Sequence, residues 1–513
     1  MISKFLFPLV IAWLPINLLA APDPSSNSRL GINLSGIVDW NTEHPCVDVF
    51  RLSRAWISQK KGQPWGKGPQ LDLDEHGWVK RLEPDCFAET PVLTGGHAPV
   101  GDYVCLYDGD GEIRFGANSQ TISRAPGRIV VHIDGQKEGT FLSIRQTNPT
   151  NPVRAIRLLM PGFEKTYLAE PFSTAFLNRW RGFNTIRFMD WMDTNGSKQK
   201  DWADRPRLED ATWALKGVPV EVMVNVCNRL KANPWFCMPH LVPDDYVRRF
   251  AALVKEKLDP SLKVYIEYSN EVWNGIFEQH RYAEDQAKKT GLGPNDRPWE
   301  GAAIFYARRS VEIFGAWEQV FGGHSRLVRV IAWQAAGGAY WTDNMLLAQA
   351  ETPKHCDVLA IAPYISFMPS PENQNLRSGE VAKWTVAQVL DRVETNALAE
   401  CIGWIKTQKA VADKYGLKLV CYEAGQHLVG VGGGENNEAL TKLLITANRH
   451  PRMGVIYTQY MNAWRNQGGG LMCLFSSVAV SSKWGSWGLL EGADENSAPK
   501  FDAVIEWNRQ NML

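Results

Sequence analysis

The sequence predicts an α/β protein, in which eight parallel strands alternate with helices and close into a barrel, and a small antiparallel β domain is inserted after the first strand. Three observations predict this fold. Eight short segments are apolar without alternation, as strands buried on both faces are. Helical patterns separate these segments from Pro171 onward. Between the first and second segments, short alternating runs and frequent turn residues are typical of an antiparallel sheet.

The first predicted strand covers residues 30–38. The other seven cover residues 184–190, 234–239, 263–268, 327–333, 358–364, 418–423 and 471–477. Helical stretches fill the intervals, for example residues 244–258, 302–321, 386–415 and 438–449. Eight strand–helix units are the number that closes a (β/α)8, or TIM, barrel. An open doubly wound sheet is the alternative, but it usually has a glycine-rich phosphate turn after its first strand, and residues 33–36 (NLSG) do not fit.

The inserted domain is predicted to span residues 76–164 and to resemble a β-sandwich. Residues 102–159 contain the alternating runs DYVCLY, GEIRFG, RIVVHID, GTFLSIRQ and VRAIRLL, with Asp-Gly turns between some of them. The catalytic barrel is then predicted to comprise residues 22–75 and 165–513. The 513 residues leave room for both parts, because a barrel of this kind commonly takes about 250 residues.

Residues 1–21 are predicted to be a signal peptide. Lys4 supplies the positive start, residues 5–20 form an interrupted apolar run, and Ala20 and Ala21 offer small side chains for cleavage. The run is too short and too interrupted for a good membrane span of about 20 residues, although a retained anchor is the alternative. We therefore expect a secreted or periplasmic protein that has no membrane association after cleavage.

The composition narrows the class of partner. Lys and Arg together number 55, as do Asp and Glu, so the chain lacks the basic surplus that indicates binding to nucleic acid. This balance does not indicate an anionic membrane surface either. The 21 Trp residues offer flat apolar faces with a polar N–H, which suit the apolar faces of sugars, although core packing is the alternative for any one of them. A glycan is the expected partner.

The nine cysteines all follow the predicted leader. An odd number leaves at least one unpaired within the chain. Cys237, Cys421 and Cys473 lie in apolar strand-like runs, where we expect buried free thiols. The sequence has no Cys-x-x-Cys and no His-x-x-x-His pattern, so a structural zinc site has no support. We expect neither a metal ion nor an organic cofactor.

Barrel enzymes place their catalytic residues at the carboxyl ends of the strands. Polar and aromatic side chains stand at these positions in the predicted barrel: Arg187, His240, Asn270, Glu271, Tyr364, Glu423, Trp484 and Trp487. Glu271 and Glu423 are carboxylates at the ends of strands four and seven. Of the two tryptophans, Trp484 follows strand eight more closely and is preferred for stacking on a sugar.

Two carboxylates in one site are what retaining glycoside hydrolysis requires. One attacks the anomeric carbon, and the other protonates the leaving oxygen and later deprotonates water, with about 5–5.5 Å between the carboxyl groups. Burial and mutual repulsion push their pKa values apart. Arg187 could hold Glu423 ionised through a charge-assisted hydrogen bond, and Tyr364 could donate a second one. Asn270 could hold a sugar hydroxyl.

Structural alternatives exist for each of these residues. Asn270 and Glu271 could start a helix, as we expect of Asn437 and Glu438, because an acidic residue favours a helix N-terminus. Glu267 competes with Glu271, since residues an even number of positions apart point to the same face while a strand stays regular. Structural roles without catalytic duty are the alternatives for three others: Arg187, His240 and Tyr364.

Two segments resemble the motifs of a known group of enzymes. VYIEYSNEVWNG at residues 264–275 and LVCYEAGQH at residues 419–427 resemble the strand-four and strand-seven motifs of the clan A retaining glycoside hydrolases. The resemblance implies a (β/α)8 barrel in which Glu271 is the acid/base, preceded by Asn270, and Glu423 is the nucleophile. Weaker matches imply four further substrate-binding positions: Arg187, His240, Tyr364 and Trp484.

The resemblance extends over residues 30–75 and 165–490, and the inserted β domain departs from the plainest members of the clan. It implies hydrolysis of a β-linked polysaccharide or oligosaccharide by double displacement, with net retention. Two alternatives stay open: a carbohydrate-binding protein on a barrel that has lost catalysis, and a transglycosylase that uses the same residues. The sequence leaves open the sugar, the linkage, endo or exo action and the oligomeric state.

Overall fold

The structure, a computed structural model, describes residues 27–136, 139–349 and 351–512. The predicted signal peptide at residues 1–21 lies outside the described residues. The chain enters the barrel through β1 (Leu30–Asn33), in which every residue is buried. It then forms the inserted antiparallel region before it returns to the barrel.

The antiparallel region consists, within the described residues, of ten strands: β2 (Ile57–Lys60), β3 (Asp72–Leu73), β4 (Val79–Arg81), β5 (Cys86–Val92), β6 (Gly101–Asp108), β7 (Gly111–Ala117), β8 (Ser119–Ala125), β9 (Arg128–Ile133), β10 (Thr140–Thr147) and β11 (Arg154–Leu159). They form two four-stranded sheets, in the orders β2-β5-β10-β7 and β11-β6-β9-β8, while β3 pairs with β4. Alternate residues of β9 are buried, namely Ile129, Val131 and Ile133, as expected of a sheet with one face on a core.

This pairing begins at β2, ahead of residue 76, where the sequence suggested a boundary. The segment ISQK of β2 is short and mostly polar, so its sequence has no strand pattern. Its place in the sheet comes from pairing with β5, in which Ile57 lies opposite Glu89. The antiparallel region is therefore longer than the alternating pattern alone indicated.

The remaining strands are β12 (Thr185–Arg187), β13 (Asn233–Met238), β14 (Val264–Tyr268), β15 (Leu327–Trp333), β16 (Val358–Ile361), β17 (Ile365–Phe367), β18 (Lys418–Ala424), β19 (Gln426–Leu428) and β20 (Met472–Leu474). Eight parallel strands close the barrel in the order β1-β12-β13-β14-β15-β16-β18-β20, and β20 pairs back with β1. The fold class predicted from the sequence is confirmed, and each barrel strand lies at a predicted segment, to within a residue or less at its start. The short strands β17 and β19 pair with each other beyond the ends of β16 and β18.

Close approach of the strands requires a small residue in β1. A side chain at Gly31 would place its Cβ 2.5 Å from Cys473 Sγ and 2.9 Å from the carbonyl oxygen of Thr185. Both are below any normal contact distance, and Thr185 and Cys473 are the residues that pair with Gly31 on its two neighbouring strands. Glycine at this position therefore lets β12 and β20 close around β1.

Twelve α-helices lie in the described part of the chain: α1 (Thr174–Trp180), α2 (Val220–Leu230), α3 (Asp244–Lys257), α4 (Glu278–Lys289), α5 (Pro298–Phe321), α6 (Thr352–His355), α7 (Ser378–Val381), α8 (Val386–Arg392), α9 (Leu398–Lys414), α10 (Glu438–Arg449), α11 (Pro451–Asn466) and α12 (Pro499–Gln510). Short 3-10 turns cover Val49–Leu52, Trp202–Asp204 and Gly434–Asn436, and π-helical turns cover Tyr340–Leu347 and Val393–Ala397. The second π turn joins α8 to α9, so the helix predicted over residues 386–415 is one continuous helical stretch.

Local sequence accounts for how these helices begin and end. Asp244 and Asp245 occupy the first turn of α3, and Lys255 and Lys257 occupy its last, so that both ends carry charges opposite to the helix dipole. α5 ends at Phe321 and is followed by Gly322, whose left-handed φ of 79° closes the helix. None of the helices in the described ranges combines the length and the apolar character that a membrane crossing requires.

All nine cysteines lie within the described residues, and all are buried and unpaired. The expectation of buried free thiols at Cys237, Cys421 and Cys473 is confirmed. These three lie on β13, β18 and β20. The barrel is therefore held together without a disulfide in its described part, by apolar packing and by the strand ladder.

Candidate active site

A cavity of about 740 Å³ opens at the carboxyl ends of the barrel strands. Glu271 lines it from the end of β14, and Glu423 lines it from β18. Asn270 and Tyr364 line it as well. Four of the seven site residues predicted from the sequence therefore share one concave space, which is the usual form of a small-molecule site.

The backbone turns sharply where Glu271 leaves β14. Ser269 and Glu271 both have left-handed φ angles, of 57° and 42°, directly after the last strand residue. The Glu271 carboxylate accepts a hydrogen bond of 3.0 Å from Asn274 Nδ2 and one of 3.2 Å from the Tyr422 hydroxyl. Strain in the sparsely populated left-handed region is typical of functional positions. The Asn270–Glu271 pair does not start a helix, whereas Asn437 caps α10 as expected, accepting from the backbone N–H of Leu440 at 3.1 Å.

Glu423 is held by two donors. Arg187 Nη1 donates to Glu423 Oε1 at 2.9 Å, and the Tyr364 hydroxyl donates to Oε2 at 2.9 Å. Both hydrogen bonds that the sequence suggested are therefore present. Glu423 is buried, with 5% of the residue exposed to solvent. A carboxylate with a charged donor on one oxygen and a phenol on the other is favoured in its ionised form.

Arg187 is fully buried and does not line the cavity itself, but it binds several residues around Glu423. Beyond its bond to Glu423, its guanidinium donates to Asn33 Oδ1 at 3.0 Å, to Asn270 Oδ1 at 2.9 Å and to Glu267 Oε2 at 2.9 Å and 3.2 Å. The planar guanidinium has five N–H donors in a fixed fork, which matches such a ring of acceptors. The ionised arginine is thus paired with two carboxylates, as a buried charge requires.

Glu267, the competitor of Glu271, is buried and does not line the cavity. Besides Arg187, its Oε2 accepts a hydrogen bond of 2.8 Å from Trp235 Nε1. The even spacing that made Glu267 a competitor holds only while the strand is regular, and β14 ends at Tyr268. The turn after the strand separates the two glutamates into a buried partner of Arg187 and a residue of the cavity.

Electrostatics distinguish the two glutamates of the cavity. Burial raises the pKa of the Glu271 carboxyl to about 8, and the charge of Glu423 adds to the effect. Burial also raises the pKa of Glu423, but Arg187 and Tyr364 oppose this rise because both donate to its ionised form. Arg187 and Tyr364 thus favour the ionised form of Glu423, while burial and the charge of Glu423 favour the protonated form of Glu271.

Asn270 is fixed on both sides of its amide group. Its Oδ1 accepts from Arg187, and its Nδ2 donates to Asn195 Oδ1 at 3.1 Å. Gln279 Nε2 completes the arrangement by donating to Asn195 Oδ1 at 2.7 Å and to the Asn270 carbonyl at 2.8 Å. Sequence reasoning missed Asn195 and Gln279, because no local pattern links the loop after β12 to the start of α4.

His240 is not brought to the cavity. It is buried, its ring packs edge-on against Tyr282 with centroids 5.3 Å apart, and its Nδ1 has no hydrogen-bond partner among the described residues. Burial lowers the pKa of its imidazole to about 4, so the ring is neutral. The structure therefore gives His240 a place in the packing behind β14, where the Tyr268 hydroxyl donates to its carbonyl at 3.2 Å.

Trp487, and not the preferred Trp484, is the tryptophan of the cavity. Trp484 is 63% exposed and lies outside the cavity lining, which includes Trp487. The reason is a tight turn in which the backbone of Ser482 and Gly485 exchange hydrogen bonds, with a φ of 123° at Gly485. This turn places Trp484 at the tip of the loop, whereas Trp487 follows the turn back toward the barrel.

Trp487 belongs to an aromatic wall that the sequence did not reveal. Its ring stacks on His427 with centroids 5.0 Å apart, and it meets Phe475 edge-on at 5.6 Å and Tyr364 at 5.7 Å. Burial lowers the pKa of His427 to about 4, so that this ring is also neutral. The wall lies beside Glu423, and a flat apolar face of a sugar ring fits against such a surface.

The chemistry available in this cavity is that of paired carboxylates. Across residues 27–136, 139–349 and 351–512, no group of three or more His, Cys, Asp or Glu side chains is placed to hold a metal ion. Two carboxyl groups in such a cavity can act as a proton donor and as an anionic nucleophile. A neutral aromatic wall and an oriented asparagine amide border them.

Among known proteins, similarity to this chain was found only with solved structures. Neither a protein-family model nor a curated protein sequence matches the chain. A 4-O-α-L-rhamnosyl-β-D-glucuronidase from Fusarium oxysporum is 10% identical, with a TM-score of 0.39 over 67% of this chain and 66% of that one. The CBM22-1–GH10 modules of an endo-1,4-β-D-xylanase from Clostridium thermocellum are 10% identical, with a TM-score of 0.39 over 91% and 96%.

A GH5-4 broad-specificity endoglucanase from Clostridium longisporum is 13% identical, with a TM-score of 0.40 over 68% of this chain and 90% of that one. At these identities and TM-scores the shapes agree only in part. The barrel of this protein is established by its own closed strand pairing. The barrel that the resemblance to clan A implied is therefore present.

Proposed function

We propose that this protein is a retaining glycoside hydrolase that acts on β-linked glycans. The observation that carries the proposal is the pair Glu271 and Glu423 in one cavity, where burial raises the pKa of Glu271 and where Arg187 and Tyr364 donate hydrogen bonds to Glu423. They extend from the fourth and seventh strands of the barrel, β14 and β18. Two carboxyl groups in one cavity, held by different hydrogen-bond donors, are what double displacement at an anomeric carbon requires.

In the first step, Glu423 attacks the anomeric carbon and the bond to the leaving oxygen breaks. The proton of Glu271 passes to that oxygen, so that the leaving group departs as a neutral alcohol. The hydrogen bonds from Arg187 and Tyr364 orient the attacking carboxylate. Asn270, held by Arg187 and Asn195, presents its amide to the sugar.

In the second step, water attacks the anomeric carbon, its proton passes to Glu271, and the ester bond to Glu423 breaks. Glu271 must now act as a base. Forming the ester removes the negative charge of Glu423, which is one of the causes that raise the pKa of Glu271. The pKa of Glu271 therefore falls when the intermediate forms and rises again when it is hydrolysed. The two inversions give net retention.

A screen of aryl β-glycosides and of β-glucan, β-mannan and β-xylan tests the proposal. Glu271→Ala and Glu423→Ala should each lose at least about 10²–10³-fold in rate on whatever the wild type cleaves. Glu438→Ala is the matched control, because Glu438 also follows an asparagine but is exposed at the start of α10. Full activity of Glu423→Ala would exclude it as the nucleophile.

Azide separates the two roles, because this small anion fits the space left by a missing carboxylate. In Glu423→Ala it should attack the substrate directly and give an α-glycosyl azide. In Glu271→Ala it should attack the glycosyl-enzyme and give a β-glycosyl azide. The opposite pattern would exchange the two assignments.

The same screen distinguishes the hydrolase from the two alternative functions, a carbohydrate-binding protein and a transglycosylase. A wild-type protein that binds a glycan but cleaves none of the substrates would be a carbohydrate-binding protein on a barrel. Products longer than the starting oligosaccharide would identify transfer to a sugar in place of water.

We also propose that the chain is exported, on the basis of residues 1–21. The mature protein from a secreting host should begin near residue 22, as measured by intact mass. A protein that keeps its first residues and sediments with membranes would contradict export.

A further inference from the structure

The aromatic wall of the cavity is anchored through one backbone carbonyl, that of Ser486. Ser486 is buried and directly precedes Trp487. Its carbonyl oxygen accepts a hydrogen bond of 2.6 Å from Gln426 Nε2 and one of 2.6 Å from Lys500 Nζ. Gln426 directly precedes His427, the ring on which Trp487 stacks. The residues that precede the two stacked rings are therefore bonded to each other, and Lys500 binds the same oxygen from α12.

The other hydrogen bonds of Trp487 leave this anchor necessary. Its indole Nε1 donates to the carbonyl of Trp484 at 2.9 Å, but Trp484 is exposed and belongs to the same loop, so this bond does not tie the ring to the barrel. Its own carbonyl accepts from the backbone N–H of Ser476 at 3.0 Å, directly after β20. The chain is thus held after Trp487 by Ser476 and before it by the two donors to Ser486.

Lys500 is a destabilising residue at its position. It is 6% exposed, and the bond to Ser486 is the one hydrogen bond that its Nζ makes within the described residues. Glu491, whose charge favours the ammonium form, is already paired with Arg449 at 3.0 Å, and burial lowers the pKa of the Lys500 amine to about 7. Lys500 is also the second residue of α12, where a cation opposes the helix dipole. Folding alone therefore gives no reason for a lysine here.

We infer that Lys500 is a positioning residue for substrate binding, which holds Trp487 against His427 through the Ser486 carbonyl. This role presupposes the proposed glycosidase function and adds to it a residue that lies outside the cavity lining. A ring that is already fixed loses less conformational freedom when a sugar stacks on it, so the anchor increases affinity. A side chain that lowers stability and holds one specific oxygen agrees with the usual trade between stability and function.

Lys500→Met tests this role on a substrate that the wild type cleaves, because methionine has a similar length and no N–H group. KM should rise about three- to tenfold, the range expected for losing the order of one side chain. kcat should change less than twofold, since the wall binds substrate and transition state alike. The denaturant midpoint should stay equal or rise, because a buried amine is removed. An unchanged KM in the folded variant would overturn the inference.

A double-mutant cycle with Trp487→Ala shows whether Lys500 acts through the wall. Once the indole ring is absent, Lys500→Met should raise KM no further, because the group that it positions is gone. The same additional rise in the Trp487→Ala background would mean that Lys500 acts by another route and would overturn the inference. Lys442→Met is the control for loss of a lysine, since Lys442 is exposed on α10, and it should leave KM and the denaturant midpoint unaltered.

Hydrogen exchange gives a measurement that does not depend on activity. Peptides that cover residues 482–489 should exchange faster in Lys500→Met than in the wild type, while peptides of the barrel strands keep their rates. Equal exchange of residues 482–489 in both proteins would overturn the inference. If Lys500→Met does not fold, Lys500→Gln takes its place in every arm, because its shorter side chain also leaves the Ser486 oxygen without this donor. Failure of the proposed function is a separate result, in which the wild type cleaves no glycoside.

Discussion

The hydroxyl of Tyr422 donates a hydrogen bond of 3.2 Å to Glu271, a residue 151 positions away in the chain. Tyr422 directly precedes Glu423, and a regular strand would turn these two neighbours to opposite faces. An irregularity in the pairing of β18 with β20, between Cys421 and Ala424, removes that constraint. One strand therefore supplies one carboxylate of the site and a partner for the other.

The pH dependence of kcat/KM should follow from these contacts. Glu271 must be protonated to act as an acid, and its pKa is about 8, so the wild-type rate should fall as the pH rises above about 8. Tyr422 donates to the ionised form and thereby lowers this pKa, so Tyr422→Phe should move the alkaline limb to higher pH. Tyr364→Phe is the counterpart, because it removes a donor from Glu423 and should move the acid limb upward.

An alkaline limb that is unchanged in Tyr422→Phe would show that the hydrogen bond does not reach Glu271 in solution.

Replacing Arg187 by lysine should impair both activity and stability. A lysine presents its protons from one atom and cannot serve Asn33, Glu267, Asn270 and Glu423 together. We expect kcat to fall about 10–100-fold and the free energy of unfolding to fall by about 3–5 kcal/mol, as for other broken buried ion pairs. Enzyme kinetics and urea denaturation measure the two effects.

Arg329→Lys is the control for that experiment. Arg329 pairs with Asp357 and Glu318 near the start of β15, away from the cavity. It should lose stability while kcat is retained. Equal losses of kcat in both variants would mean that activity falls with the fold in general and not through Glu423.

The two tryptophans after β20 should differ in their importance. Trp487→Ala removes the centre of the aromatic wall, and we expect kcat/KM to fall at least about tenfold, in line with about 1–3 kcal/mol for a stacking residue. Trp484→Ala removes an exposed side chain and should change kcat/KM less than twofold. A larger effect of Trp484→Ala than of Trp487→Ala would indicate that Trp484 is the tryptophan that stacks on the sugar.

Glu43 should make the stability of the protein depend on pH. Burial raises the pKa of its carboxyl to about 7, against a normal value of 4.5. The folded state therefore keeps a proton that the unfolded state releases between pH 4.5 and 7, and the free energy of unfolding should decrease over this window by up to about 3 kcal/mol. Denaturant midpoints measured at pH 5 and pH 7 give the size of the decrease.

Glu43→Gln should remove that decrease. The glutamine Oε1 can accept from Trp180 Nε1, which now donates to Glu43 at 2.6 Å, and its Nε2 can donate to the hydroxyl of Ser477, which now lies at 2.7 Å. Glu438→Gln at an exposed position should leave the decrease as it is. If Glu43→Gln retained the full decrease, other groups would be responsible for it.

The barrel strands could be predicted because parallel strands inside a barrel are buried on both faces and read as continuous apolar runs. For some strands, the predicted carboxyl end lies further along the chain than the end seen in the structure. β1 ends at Asn33 although the apolar pattern continues to residue 38, because Leu34 and Ile37 are buried in the loop that follows. A buried loop is rich in apolar residues, as a buried strand is, so the apolar pattern alone does not show where the strand ends.

Within the site, the positions that could be predicted were those set by a strand end and by charge: Glu271, Glu423, Arg187, Asn270 and Tyr364. Two predicted residues, His240 and Trp484, lie outside the cavity lining, because the direction of a side chain after the strand is not set by the strand pattern. His240 turns into the packing behind β14, and Trp484 is carried outward by the turn at Gly485. Asn195 reaches the cavity from the loop after β12, and His427 reaches it from the short strand β19, which pairs with β17.

The nine unpaired cysteines can be used to measure local unfolding of the protein without added probes. All of them are buried, so a maleimide can label a thiol only when the surrounding structure separates from it. Cys86 and Cys105 lie on β5 and β6 of the inserted sheets, whereas Cys237, Cys421 and Cys473 lie on strands of the barrel. Peptide mass spectrometry over a time course of labelling would therefore rank the two regions by how readily each comes apart, without the introduction of any foreign probe.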